Sequence, residues 1–477
     1  MQDVTTLSAK KLINLIKRKE VSCVEVMQAH LNRVAQINPS LNAIVQQLPP
    51  EQALKQAQEA DNAIKQKKAL GKLHGIPITI KDARKVKGFL CTLGMQSPMN
   101  CIAQEDATVV SRLRAEGAII TGITNIPDFS MSYDTENSLY GRTNNPFDLN
   151  RSPGGSSGGE AAIIAAGGSY LGIGADSGGS IRQPAHHCGI AGLKPTRGLI
   201  PDTGKFPKDG LGIFNYLESQ GPLARYVDDL IYVLPILAGP DGRDPNVFPA
   251  AINDPSRVKL QSLRIAIYAG NGVVNPSEDI VQVINQVQHL LKDTVLSITE
   301  DYPRISKEVY SMFEELFFYG GDKGQWLKDR MQQMHVTTVA PPFKAILDRA
   351  EFCEFSVTEL RNRLVLMDQL KYSMMDFMHN YDVIICPVAT TPATLYEQKE
   401  SSQEGFDLAY DLTYNLLYNI TGWPAAVVRC GTSKEGLPIG VQIIAKSWKE
   451  DIALAVAKQL EELFGGWQPP PLIKSSR

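Results

Sequence analysis

The stretch from Ser152 to Gly198 sets serines among closely spaced glycines in SPGGSSGGEAA, AAGG and GIGADSGGSIRQPAHHCGIAGLKPTRG. Glycine at this density lets backbone approach backbone or ligand, and a glycine-rich turn ahead of a serine offers N–H groups to an acyl-transfer oxyanion. Asp176-Ser177-Gly178-Gly179-Ser180 has that form. A serine hydroxyl is a poor nucleophile until a base takes its proton. His186, His187, His289, His335 and His379 follow, but no motif places them, and Lys81 at the end of GIPITIK is a better presented base. Such a lysine must be buried away from carboxylates, so that its charged form is disfavoured. Asp82 is adjacent, yet on a strand neighbouring side chains point to opposite faces, so the two need not pair.

Other readings of the same residues are open. Gly154-Gly155-Ser156-Ser157-Gly158 fits G-x-S-x-G, the nucleophile elbow, which needs a later acid and histidine and leaves GADSGGSIR unexplained. The chain has no G-x-x-x-x-G-K-[ST], and its glycine clusters do not match G-x-G-x-x-G with a following acidic residue, which disfavours nucleotide binding. Glycines serving only tight turns and close packing account for Gly167-Gly168 but give no reason for the lysine and serines. Arg182 and Asp176 are spaced to brace the turn at Ser180 as structural support. Ser157 is read as a hydrogen-bond brace, and His186 and His187 as packing and turn residues.

The surrounding elements must hold these groups. Ile76, Ile78 and Ile80 alternate in strand fashion and deliver Lys81 at the strand's end. Helices are predicted over 8–18, from Ser22 (with Glu25 in capping-box spacing) to about Gln36, and over 51–69, 108–116, 220–238, 275–292 and 450–463. Strands are predicted over 118–123, 262–268, 382–387, 425–430 and 439–444, giving an α/β chain with a mixed sheet in a single domain over 1–477. Residues 303–379 read as helical, aromatic and Met-rich, and MFEELFFYGG at 312–321 is either a core helix or the wall of an apolar substrate pocket.

Of 477 residues, 48 are basic and 51 acidic, a net charge of −3, and no basic block with interleaved aromatics tracks a phosphate backbone, so no direct nucleic-acid contact is expected. No apolar run is long enough to span a bilayer and the start lacks the order of a secretory signal, so a cytoplasmic location is expected. Seven scattered cysteines without a C-x-x-C pair read as reduced thiols, and no metal is expected.

Taken in order, GIPITIKD, SPGGSSGGEAA, GIGADSGGSIRQPAHHCGIAGLKPTRG, GPLAR, TGWPAAVV and GLPIGVQII resemble the amidase signature family, over about residues 6–467 and most weakly between 240 and 380. The resemblance implies one α/β/α domain around a large mixed, twisted sheet flanked by helices, with a variable helical substrate-pocket region at 300–380. It also implies Ser180 as nucleophile, Ser156 as bridging serine behind a cis peptide, Lys81 as base, and the N–H groups of Ser177, Gly178, Gly179 and Ser180 as oxyanion donors. No cofactor is required. NIPDFSMSYDTENSLYGRTNNP is most similar to fatty acid amide hydrolases and bacterial amidases, which puts Ser130 and Met131 at the substrate and implies a fatty-acyl or aryl amide. The alternatives are the A subunit of a glutamine-dependent aminoacyl-tRNA amidotransferase, working with partner subunits, and a non-catalytic ligand-binding protein on the same fold. A small-molecule amide is the expected partner, and a homodimer the expected oligomer.

Overall fold

A computed structural model describes residues 3–206, 212–396 and 408–474. Among them, eleven strands form one mixed sheet in the order Ile44–Gln47, Ile119–Thr124, Pro77–Lys81, Leu171–Asp176, Ser219–Ala224, Ala191–Lys194, Ala425–Thr432, Pro438–Ala445, Val383–Pro387, Arg264–Ile267 and Ser297–Glu300. Pro77–Lys81 runs parallel to both neighbours, with Thr79 opposite Gly172 and Ile80 opposite Ile173. The sheet then turns antiparallel through the middle strands and ends in three parallel ones.

Period-two alternation sorts the strand residues between layers. Val383 and Ile385 join one apolar cluster and Ile384 another, and Ile443 and Ile444 divide in the same way. At the other end of the sheet, Ile78 and Ile80 enter the core with Leu171 and Ile173. That leaves Thr79, Lys81, Gly172 and Gly174 for the opposite face, under the helix Gly158–Ala165. The two glycines are required there. A Cβ on Gly174 would stand 2.8 Å from Ser157 Oγ, and one on Gly172 would overlap the Glu160 carboxyl.

Ser22 and Glu25 close the expected capping box, and the helix they start, Cys23–Leu41, runs past Gln36 through Pro39 to Asn42 in the left-handed conformation. The expectation of a helix over 220–238 is corrected: Ser219–Ala224 is a strand between Leu171–Asp176 and Ala191–Lys194, and only Val227–Leu237 is helical. Gly221 and Pro222 break a helix, and a Cβ on Gly221 would lie 2.1 Å from the Leu193 carbonyl oxygen, so the strand fits only with glycine there. Residues 303–379 fold largely as the helices Lys307–Glu314, Gln325–Gln333, Pro341–Ala350 and Val357–Phe377. Among the described residues no helix is long and apolar enough to cross a membrane.

Candidate active site

Lys81 is the last residue of its strand, and Asp176 the last of the parallel strand beside it. Ligands bind at this carboxyl end of parallel strands, where loops diverge. The turn Ser177–Ile181 leads from Asp176 into the helix Arg182–Cys188. The Gly155–Ser156 peptide is cis, as the family resemblance implied, and sets Ser156 ahead of the helix Gly158–Ala165. Lys81 Nζ donates to Ser156 Oγ at 2.7 Å and to Ser157 Oγ at 3.0 Å, and Ser130 donates to Ser156 Oγ at 2.8 Å. The Ser157 hydroxyl also reaches the Ala175 carbonyl oxygen at 3.4 Å.

Burial, with the nearby Arg84 guanidinium, pushes Lys81 down to about 7. Asp82 does not pair with it. Its carboxylate turns away to accept the backbone N–H of Thr92 at 3.2 Å and the Thr92 hydroxyl, and burial lifts it to about 7 against those bonds. Arg84 is itself held by Glu218 at 2.9 Å and Asp202 at 2.7 Å.

Asp176 and Arg182 are both fully buried and pair through two parallel bonds of 2.9 Å. Burial would raise the Asp176 carboxyl, but Arg182 and Asn419 hold it well below the usual carboxylate range. Asp176 also accepts the N–H of Gly179 at 2.8 Å and of Ile181 at 3.2 Å, so one carboxylate shapes the whole turn. The Gly179 N–H, one of the expected oxyanion donors, is thus engaged by Asp176 in this structure. Arg182 reaches further, to the Asn415 carbonyl oxygen, Gln442 and Asn419 at 3.2, 3.1 and 2.5 Å. Sequence reasoning missed these partners, though Asn415 and Asn419 are polar residues four apart in the otherwise apolar YNLLYNI, a legible sign of a helix face with a polar partner. His186 is a packing residue: the Gly440 N–H donates to its Nδ1 at 2.8 Å, which leaves Nε2 to donate to the Thr391 carbonyl oxygen at 3.1 Å.

Lys81, Ser130, Ser156, Ser177 and Ser180 stand at the polar part of a cavity of about 270 Å³. Its other walls include Phe129, Met131, Leu316, Phe317, Phe318 and Trp326. The aromatic segment therefore serves both readings, since Phe313 is buried in the core while Leu316–Tyr319 line the cavity. After the α-helix that holds Phe313, Glu315–Tyr319 continues in five-residue turns, the last closed by Gly320 N–H donating to the Glu315 carbonyl at 2.9 Å.

The Amidase family model matches residues 25–454. This chain belongs to the amidase signature family. Human fatty-acid amide hydrolase 2 is 30% identical, with 97% of this amidase and 90% of that protein aligned. The A subunit of glutamyl-tRNA(Gln) amidotransferase from a Sulfurihydrogenibium species is 31% identical over 96% of this chain and 97% of its own. A solved fatty acid amide hydrolase superposes with a TM-score of 0.85 at 29% identity, over 97% of this chain and 85% of that one. The amidase is thus a family-level amide hydrolase whose relatives at similar identity differ in what their names say they act on.

Proposed function

We propose that this amidase hydrolyses a linear carboxamide with a fatty-acyl or aryl acyl group through an ester on Ser180. The observation that carries the reading is the 2.7 Å contact between buried Lys81 and Ser156 at the floor of an apolar cavity that Ser180 also lines. Neutral Lys81 has one lone pair and two N–H bonds. It can accept the Ser156 proton while donating to Ser157, and Ser130 fills the other side of Ser156. Ser156 then takes the proton of Ser180 as that oxygen attacks the amide carbon. The N–H groups of Ser177, Gly178 and Ser180 stabilise the oxyanion. The proton returns through Ser156 to the departing amine as the C–N bond breaks, and water cleaves the acyl ester by the same relay.

Amine release from amides of graded acyl length tests this, with Ser180→Ala as control. Turnover of long-chain or aryl amides by the chain alone is the expected result. Release from glutamine confined to mixtures with amidotransferase partner subunits would instead support the second reading, which the 31% identity to an amidotransferase favours.

A further inference from the structure

Glu160 lies in the first turn of Gly158–Ala165, fully buried, on the same side of the sheet as Lys81. Its Oε1 contacts the Thr79 hydroxyl, and Oε2 accepts the Thr124 hydroxyl at 2.6 Å. Thr79 Oγ1 also lies 3.0 Å from Ser169 Oγ, and Ser169 Oγ 2.9 Å from the Leu171 carbonyl oxygen.

Three oxygen–oxygen contacts join Glu160, Thr79, Ser169 and the Leu171 carbonyl, and each needs one proton. The two hydroxyls carry only two. The carbonyl has none to give, so the third must come from the carboxyl. Gly172 packs the carboxyl so closely that a Cβ there would overlap it, leaving no room on that side for a water to supply the proton. We infer that Glu160 is a neutral carboxylic acid bridged to Thr79, and that it acts as a positioning residue by keeping an anion off the Lys81 face of the strand. The inference rests on the reading of Lys81 as the base. Lys81 is the titratable group that faces Glu160 from strand Pro77–Lys81. Thr124, Ser169 and Gly172, which meet it from the other packed segments, are uncharged. Burial lifts the Glu160 carboxyl to about 7 against its threonine bonds, in the same sense. An ionised Glu160 would favour charged Lys81 and withdraw the lone pair the relay needs.

Infrared difference spectra of the full chain just above neutral pH, with glutamate carboxyls labelled with ¹³C to separate them from Asp82, read the protonation directly and need no turnover. The expected result is a protonated carboxylic acid band that Glu160→Gln removes. Carboxylate bands alone would overturn the inference. The amide of Glu160→Gln can reproduce both contacts, so its kcat/KM is expected within about threefold of wild type with an unmoved acid limb. A limb displaced to lower pH would mean that an anion at 160 had been supporting the lysine charge, and would equally overturn it. Should Glu160→Gln not fold, a band in labelled wild type still decides the protonation state. Should Lys81→Met keep full activity while the band is present, it is the base reading that fails.

Discussion

Ser157 donates its backbone N–H to the Ser180 carbonyl oxygen at 3.2 Å, while its hydroxyl accepts Lys81 Nζ at 3.0 Å. One residue thereby ties the turn that carries Ser180 to the strand that ends in Lys81. Ser157→Ala keeps the backbone bond and removes the hydroxyl. A lost hydrogen bond to the proposed base, charged once it has taken the proton and so worth about 1.5–3 kcal/mol, is expected to lower kcat/KM by about tenfold to a hundredfold, with an unchanged circular dichroism spectrum. An unfolded variant would make Ser157 a folding residue instead.

In the proposed relay Lys81 sets a pH dependence of activity. The base works as the neutral amine, so kcat/KM is expected to rise with pH through about 7, and Lys81→Met to lose about a thousandfold or more. A flat pH profile in this range would remove Lys81 from the relay.

The same depressed pKa has a stability consequence. The unfolded lysine binds its proton at about 10.5 and the folded one at about 7, so between these values the unfolded chain holds more protons and wild-type stability rises with pH. The Tm advantage of Lys81→Met over wild type therefore grows as pH falls through this window and levels off below 7. Thermal melts across it check the sign.

The buried Asp176–Arg182 pair organises the Ser180 turn, and removing one partner leaves a buried charge without compensation. Arg182→Ala is expected to cost about 3–5 kcal/mol, read as a lowered denaturation midpoint. A loss under about 1 kcal/mol would make this pair no stronger than a surface contact.

The wall formed by Leu316–Tyr319 is expected to govern acyl length. Leu316→Trp fills part of the 270 Å³ cavity and should reduce kcat/KM for long acyl amides at least about tenfold more than for short ones, each excluded methylene being worth about 1–3 kcal/mol. Equal losses for both would put the acyl chain elsewhere.

Much of this site is written locally. Ile76, Ile78 and Ile80 mark the face that enters the core, so the position of Lys81 on the other face follows from period two, as does the turning away of Asp82. The Ser22–Glu25 cap was legible for the same reason, being a pattern within four residues. What was not legible depends on partners far along the chain. Asn419 meets Arg182 across 237 residues, and Ser130 meets Ser156 from a turn in which Phe129 and Ser130 adopt positive φ. The helix predicted over 220–238 covers Gly221 and Pro222 as well as the apolar Val227–Leu237, and at those two positions the demands of a neighbouring strand outweigh local pattern.

The central claim, that Ser180 is the nucleophile and Ser156 the relay, is tested most directly by treating the protein with an alkyl fluorophosphonate and locating the adduct by peptide mass spectrometry. The account predicts one adduct, on Ser180, absent from Ser180→Ala and formed at least about a hundredfold more slowly in Lys81→Met. An adduct on Ser156 that persists in Ser180→Ala would contradict it.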